Sequence, residues 1–213
     1  MNRNKCALIC NILLVILGGI GLYLACGENN VVEYYTNDSN ILCLLSSLLF
    51  VIYMIIKKDV GEIPFFVSLL RYMATACLTL TFFVVFYLAS TAGDTYFEGL
   101  LMFFTNGSML FYHLLCPIIS FISFTFFEGD RRLNKKKTIY LAMIPTVVYA
   151  IILIILNAFN VVKGPYPFLM VNKNPVYISL IWVVVILGLN YLFARFILLF
   201  NQKHSPRRKR KEA

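Results

Sequence analysis

The sequence has few charged residues and little that a water-soluble fold would need. Only 14% of its 213 residues are charged, while 60% are hydrophobic. Its apolar runs repeatedly reach about 20 residues, the length at which a helix crosses roughly 30 Å of hydrocarbon. A soluble domain would need a polar face on these segments, and most of them have none. We therefore expect an all-α polytopic membrane protein with six transmembrane helices.

Internal repeats and low-complexity segments are also lacking. We expect a single six-helix transmembrane domain over residues 1–200, followed by a basic tail over residues 201–213. The predicted spans are Cys6–Ala25, Asn40–Ile56, Arg71–Ala92, Gly107–Phe127, Thr138–Ala158 and Val176–Phe200. The first span follows two basic residues, as a signal peptide does, but its length of about 20 residues exceeds that of a secretory apolar region. Lipoprotein-type cleavage at Cys26 would remove this span and disrupt the charge pattern described next.

Acidic residues are scarce, since 10 Asp and Glu accompany 19 Lys and Arg and leave a net charge of +9. All the basic residues except Lys163 and Lys173 fall on one side of the predicted membrane. The positive-inside rule then places both termini in the cytoplasm, which agrees with an even number of spans. We expect the tail to contact anionic lipid headgroups and not nucleic acid. The cell membrane is the expected location of this multi-pass protein.

The six cysteines are scattered, and no Cys-X-X-Cys pair occurs among them. Their spacing indicates neither a zinc site nor a disulfide framework. We expect thiols that pack like small hydrophobic side chains, and no metal or other cofactor.

Histidine occurs only twice, and His113 lies inside an apolar span. An ionisable ring there is costly, so it is expected to face the protein interior or a wet cavity and to serve function, or else to bond neighbouring helices. Asn106 precedes His113 by seven residues, and Pro117 and Ser120 follow it by four and seven. A regular helix would carry all four on one face. Pro117 would also kink the helix, because it cannot donate a backbone hydrogen bond.

Small or polar side chains recur at helical spacing where span two begins, at Thr36, Asn40, Cys43 and Ser47. We expect this stripe to face the interior of the bundle. Thr36 has the alternative role of a helix cap, since threonine favours that position. Asn190, deep in span six, needs hydrogen-bond partners from other helices.

Three further expectations concern the span ends and loops. Arg71, at the start of span three, is expected to extend to the lipid headgroups. Residues 96–104 (YFEGLLMFF) are expected to form a short amphipathic segment at the outer surface. Tyr166 and Phe168 lie in a proline-rich loop and suit either the aromatic belt or a lid over a lipid-facing opening.

Three segments together resemble a known family: Tyr34–Asn40 (YYTNDSN) at the start of span two, His113–Pro117 (HLLCP) in span four and Tyr166–Leu169 (YPFL) before span six. The sequence Asn190-Tyr191-Leu192 also fits. This pattern covers nearly the whole chain and is similar to the androgen-induced-protein and androgen-dependent tissue-factor-pathway-regulator family, including its predicted six-span bacterial relatives. Three residues separate the histidine from the proline, as in the bacterial branch, whereas the animal enzymes have four.

The resemblance implies a multispan lipid hydrolase that acts on fatty acid esters of hydroxy fatty acids or related lipid esters. It places a threonine nucleophile at Thr36 and a histidine at His113. A threonine-type carboxylic ester hydrolase of this kind is chemically coherent, because neutral imidazole can take the hydroxyl proton near pH 7. The lipid substrate would enter from the bilayer, and no cofactor is needed.

Acyl transfer also needs a donor to the oxyanion, for which Asn40 is our first expectation. The further substrate-binding or oxyanion candidates are Asn106, Tyr166, Phe168 and Asn190. Two other functions remain compatible with the sequence. A small transporter or channel could use His113 as a proton relay, and a non-catalytic membrane scaffold would use the polar stripes only for helix packing.

Overall fold

The computed structural model describes residues 2–27, 33–57 and 63–205, and within them the chain forms helices and no strands. The helices are α1 (Arg3–Ala25), α2 (Tyr35–Ile56), α3 (Phe65–Ala92), α4 (Tyr96–Thr105), α5 (Gly107–Phe127), α6 (Lys136–Ala158) and α7 (Val176–His204). The predicted basic tail comprises residues 201–213. Its first four residues continue α7, and residues 206–213 lie outside the described residues.

All of these helices except α4 are long and apolar enough to cross a membrane, which confirms the predicted six-span, all-α architecture. Several helices extend beyond the predicted limits, because hydropathy detects only the apolar part of a helix. The largest differences are at α2 and α3, which begin at Tyr35 and Phe65. The earlier start of α2 places Thr36 in the first turn of the helix. The short segment predicted over residues 96–104 is a helix, α4.

Helix α3 lies at the centre of the bundle and packs against α2, α4, α5, α6 and α7. Of the 18-residue apolar stretch with which α3 could cross a membrane, 56% is buried in the protein, whereas the corresponding value for α7 is 22%. Among the six spanning helices, α3 therefore has the least access to lipid. Its Tyr72 ring stacks on Phe124 of α5 with a centroid distance of 5.6 Å. The Tyr72 hydroxyl donates to the Ala194 carbonyl of α7 at 2.8 Å. These contacts join three spans in one core.

Small residues allow close helix packing at two places. A Cβ atom on Gly21 of α1 would lie 2.6 Å from the Tyr112 ring of α5, and one on Gly99 of α4 would lie 2.1 Å from the Ala89 carbonyl oxygen of α3. Neither distance is sterically possible, so both contacts require glycine. In the first span Gly21 therefore makes a close helix contact, whereas Gly19 has no neighbouring atom within 4 Å.

Helix α5 departs from regular α-geometry, with π-helical turns at Phe111–Leu115 and Ser123–Phe127. The Cys116 amide donates to the Phe111 carbonyl, directly before Pro117. The distortion expected at this proline therefore takes the form of a widened turn that includes His113.

The expected position of Asn106 on the His113 face is wrong. Asn106 has an extended backbone (φ −92°, ψ 125°) and separates α4 from α5. The chain is not helical at this residue, so helical spacing does not apply to it, and Asn106 is exposed. Pro117 and Ser120 are buried, as is His113.

Arg71 does not reach lipid headgroups, contrary to expectation, because its side chain is fully buried beside Glu128. Its Nε donates to Glu128 Oε2 at 3.0 Å and its Nη2 to Oε1 at 2.9 Å. Nη1 donates to Ser47 Oγ at 3.0 Å. Asn11 Nδ2 and Ser123 Oγ also donate to Glu128 Oε1, at 2.9 and 2.6 Å. These five residues, here called the Arg71 cluster, join α1, α2 and α3 to the end of α5.

The two ends of the described chain meet on one side of the bundle, where Arg3 Nη1 donates to the His204 carbonyl at 2.7 Å. An even number of crossings places both ends of the chain on the same side, as observed. On the same side, Asp130 pairs with Arg132 and its carbonyl accepts from Gln202 at 2.7 Å. Burial alone would raise the pKa of Asp130, but hydrogen bonds from Arg132 outweigh burial and hold the pKa below its ordinary value.

Candidate functional site

A cavity lies between α2, α3, α5, α6 and α7, under the loop that connects the last two helices. Its empty volume is about 640 Å³, including the opening. Most of the lining is aliphatic or aromatic, for example Leu80, Val84, Leu88 and Ile186. The polar groups at its surface are few, as expected of a site that binds an apolar ligand and orients it with a small number of hydrogen bonds.

Thr36 reaches this cavity from the first turn of α2, and only 9% of the residue is exposed. The helix cap is Tyr34, two residues earlier, so the capping alternative for Thr36 is wrong. Thr36 Oγ1 instead lies 3.4 Å from the Tyr166 hydroxyl. The Thr36 side chain therefore points into the cavity and does not cap the helix.

His113 reaches the same cavity from the π-helical turn of α5, and 5% of the residue is exposed. The edge of its ring packs against Phe103 of α4 with a centroid distance of 5.2 Å. Its buried Nδ1 atom makes no hydrogen bond to any described residue. Buried polar atoms are nearly always paired, so this nitrogen needs a water molecule or a ligand as its partner. The structure thus brings Thr36 and His113 to one cavity from two different helices.

Tyr166 and Phe168 close the cavity from the α6–α7 loop, residues 159–175, which is here called the Tyr166 loop. Both are buried, and their rings stack at 5.2 Å with 3° between the planes. Trp182 of α7 packs on Phe168 at 5.4 Å. Residues of an aromatic belt would be exposed to the membrane interface, so this burial favours the lid interpretation.

The side chain of Asn157, at the end of α6, holds the Tyr166 loop in place. Its Nδ2 donates to the Gly164 carbonyl at 2.7 Å, and its Oδ1 accepts from the Gly164 amide at 3.1 Å. Asn172 then donates to the Asn157 carbonyl at 2.6 Å. The loop lacks regular structure along most of its length, but these bonds fix it over the cavity.

Two of the predicted asparagines lie behind the cavity wall. Asn40 is buried, and its Nδ2 donates to the carbonyls of Thr36 at 2.8 Å and Tyr112 at 3.3 Å. Asn190 is buried in α7 and donates to Thr146 Oγ1 at 2.6 Å. Asn106 remains exposed at the α4–α5 junction. The structure therefore gathers Thr36, His113, Tyr166 and Phe168 at the cavity, and leaves the three asparagines outside its lining.

The lining also includes polar residues for which no role was predicted from the sequence, among them Tyr35, Thr146 and Tyr149. The Tyr35 hydroxyl lies 2.7 Å from Thr146 Oγ1, which is also the acceptor for Asn190. The Tyr149 hydroxyl donates to the Glu33 carbonyl at 2.7 Å. Thr146 and Tyr149 lie three residues apart, and this spacing on one face of α6 is the sequence signal that could have identified them.

Comparison of the chain with protein-family models, curated proteins and solved structures gives no match. The class of protein therefore rests on the fold and the site. The chain is an α-helical multi-pass membrane protein. Within the bundle, three threonines, three tyrosines and His113 contribute polar groups to a largely apolar cavity.

Proposed function

We propose that the protein is a membrane-embedded lipid ester hydrolase with Thr36 as nucleophile and His113 as base. The observation that carries the proposal is that both side chains line one apolar cavity although they belong to different helices. The apolar walls suit acyl chains, and a position within the spans suits a substrate that enters from the bilayer. The resemblance noted above favours fatty acid esters of hydroxy fatty acids, or related lipid esters, as substrates. We place the enzyme in the cell membrane with both termini in the cytoplasm.

In the proposed reaction Thr36 Oγ1 attacks the ester carbonyl carbon while His113 takes the hydroxyl proton. The tetrahedral intermediate collapses, His113 returns the proton to the leaving alkoxide, and an acyl-threonine remains. Water, activated by His113, then attacks the acyl-threonine, and the products are a fatty acid, an alcohol and the original enzyme. The unpaired Nδ1 of His113 supports this role, since no described residue competes for it.

The test is hydrolysis of a panel of lipid esters by purified protein, with an active-site-directed fluorophosphonate probe in parallel. We expect Thr36→Ala to lower the rate by at least about 10³-fold and His113→Ala by about 10²- to 10⁴-fold, with loss of labelling. Thr36→Ser should retain activity because it keeps the hydroxyl.

Thr81→Ala is the matched control. Thr81 lines the same cavity, but its hydroxyl donates to the Cys77 carbonyl of its own helix at 3.1 Å and lies 3.1 Å from Ser39 Oγ of α2. This variant should hydrolyse the best ester at close to the wild-type rate. Full hydrolysis and labelling in Thr36→Ala or His113→Ala would overturn the proposal, as would a wild-type protein that cleaves no ester in the panel.

A transporter is the second candidate, and the burial of the α2 stripe favours it. Thr36, Asn40, Cys43 and Ser47 are all buried, as predicted, and lead from the cavity to the Arg71 cluster. Proton flux into vesicles that is lost in His113→Ala, without ester hydrolysis by the wild type, would support this function. The paired and fully buried Arg71 lies at the far end of the stripe, and for this reason we prefer the hydrolase. A non-catalytic scaffold would show neither activity.

A further inference from the structure

The contact between Thr36 and Tyr166 is long for a hydrogen bond between hydroxyl groups. Their oxygens are 3.4 Å apart, whereas O–H···O bonds usually measure about 2.7–2.8 Å. The two residues are separated by 130 positions in the chain and meet only because the Tyr166 loop folds over the cavity. The phenol therefore lies beside the proposed nucleophile without a strong bond to it.

We propose that Tyr166 is a catalytic residue whose hydroxyl donates a hydrogen bond to the ester carbonyl oxygen as that oxygen becomes negatively charged. This inference rests on the proposed hydrolase function. It identifies an oxyanion donor, which the Thr36–His113 pair does not supply.

The distance between the two hydroxyls fits this role. In a reactive complex the carbonyl carbon lies about 3–3.5 Å from the attacking oxygen, and the oxyanion lies about 2.7–3.1 Å from its donor. With the two hydroxyls 3.4 Å apart, one ester carbonyl can meet both requirements. Its carbon would face Thr36 while its oxygen faces Tyr166.

Tyr166 also has the required protonation state. Burial raises the pKa of Tyr166 to about 12, so the phenol keeps its proton at neutral pH and can donate it in a hydrogen bond. An oxyanion donor must be protonated before the reaction begins, because it stabilises charge without giving up its proton.

The loop holds the phenol in a fixed position, as a preorganised donor requires. The Tyr166 ring stacks on Phe168 and packs edge-on against Tyr34 with centroids 6.3 Å apart. Asn157 anchors the same loop through both atoms of its amide at Gly164. Little reorganisation is then needed when the carbonyl oxygen becomes charged.

The other polar groups near Thr36 are less suited to this role. The amide of Asn40, our first expectation, already donates to two backbone carbonyls. The Tyr149 hydroxyl donates to the Glu33 carbonyl, and the Tyr35 hydroxyl is 2.7 Å from Thr146. To bind the oxyanion, each of these three side chains would have to break a contact shorter than the 3.4 Å contact between the Tyr166 and Thr36 hydroxyls.

The test compares Tyr166→Phe with Tyr140→Phe, a variant that removes a hydroxyl from an exposed tyrosine of α6 that does not line the cavity. We expect Tyr166→Phe to lower kcat by about 10²- to 10³-fold and to change KM by less than about 3-fold, because the bond forms mainly in the transition state. Tyr140→Phe should keep kcat within about 3-fold. A lipid phosphonate that mimics the tetrahedral intermediate should lose affinity for Tyr166→Phe by a similar factor, while inhibition by the product fatty acid stays unchanged.

Replacement of Tyr166 by 3-fluorotyrosine separates chemistry from folding, because it keeps the ring and the hydroxyl. We expect this variant to retain kcat within about 3-fold while Tyr166→Phe does not. Wild-type kcat in Tyr166→Phe, with Thr36→Ala inactive, would overturn the role of Tyr166 and leave the hydrolase intact. Equal losses in the Phe and fluorotyrosine variants would overturn it too. A wild-type protein without esterase activity would instead overturn the proposed function, and this inference with it.

Discussion

The Arg71 cluster and the Thr36 cavity both place polar side chains inside an apolar bundle, but they differ in whether their ionisable side chains are paired. Each Glu128 oxygen accepts hydrogen bonds, and the three guanidinium nitrogens of Arg71 all have partners. At the cavity, His113 Nδ1 has no described partner and the Thr36 hydroxyl has only a long contact with the Tyr166 hydroxyl. Buried charges that are fully satisfied hold helices together, whereas unsatisfied groups beside empty space are available to a ligand.

One helix serves both regions, since the stripe on α2 has Thr36 at one end and Ser47 at the other. These residues are separated by about 16 Å along the helix, at roughly 1.5 Å per residue. The stripe therefore has two distinct roles, and substitutions at its two ends should have different effects. The predictions below test this difference first at the cluster and then at the cavity.

Glu128→Ala should have the largest effect on stability. It would leave the Arg71 guanidinium buried without its counter-charge, and breaking such a pair typically costs about 3–5 kcal/mol. The midpoint of thermal unfolding in detergent should fall strongly, and the yield of folded protein with it. Thr36→Ala should leave this midpoint nearly unchanged, although it removes a polar group from the same bundle.

A matched control for the cluster is Ser123→Ala, which removes one donor to Glu128 and keeps the ion pair. Its cost should be about 1 kcal/mol, as for a single membrane hydrogen bond. The double variant Arg71→Met/Glu128→Leu should regain most of the stability lost in Glu128→Ala. Equal stability of Glu128→Ala and the wild type would show that the pair is not a structural anchor.

Ala150→Phe should have the opposite effect to Glu128→Ala, because it should lower the activity and leave the stability nearly unchanged. Ala150 lines the cavity, so the added ring would occupy space that the proposed lipid substrate needs. We expect hydrolysis of the best lipid ester to fall at least about tenfold, which corresponds to about 1.4 kcal/mol. Ala158→Phe is the control, because it places the same ring at an exposed position of α6. Full activity in Ala150→Phe would mean that the substrate binds elsewhere.

The six spans could be predicted from the sequence because each is a local property of about 20 apolar residues. The burial of the polar stripe on α2 could be predicted for the same reason, since it depends only on helical spacing within one segment. The Asn106 prediction failed for a local reason, since Gly107 has φ = 45° and directly follows the extended Asn106. A break between two helical segments is invisible to an argument that assumes one continuous helix.

Contacts between distant segments could not be predicted. Arg71 and Glu128 are separated by 57 positions, and Glu128 follows directly after the predicted limit of its span. Basic residues at span ends usually extend to headgroups, so a buried partner has to be seen in the structure. The approach of Tyr166 to Thr36 depends on how an irregular loop folds back, which the resemblance and the composition leave undetermined.

The smallest expected effect lies outside the membrane spans, at Asp130. Its carboxylate accepts from Arg132 Nε at 2.9 Å, and the pair is partly exposed, so Asp130→Asn should cost at most about 1 kcal/mol at pH 7. The pKa of Asp130 is lower in the folded protein than its ordinary value of about 3.9, so its contribution is complete above that value and is lost as the pH falls through the folded pKa.

The unfolding midpoints of Asp130→Asn and the wild type should therefore differ slightly at pH 7 and 5 and converge toward pH 3. Asp94→Asn, at an exposed position on the α3–α4 connection, should match the wild type throughout. If the difference in unfolding midpoint between Asp130→Asn and the wild type grew as the pH falls, the predicted direction of the pH dependence would be wrong. In the same pH series the unfolding midpoint of Glu128→Ala should stay far below that of the wild type at pH 5 and 7, because the fully buried Arg71 still lacks its counter-charge.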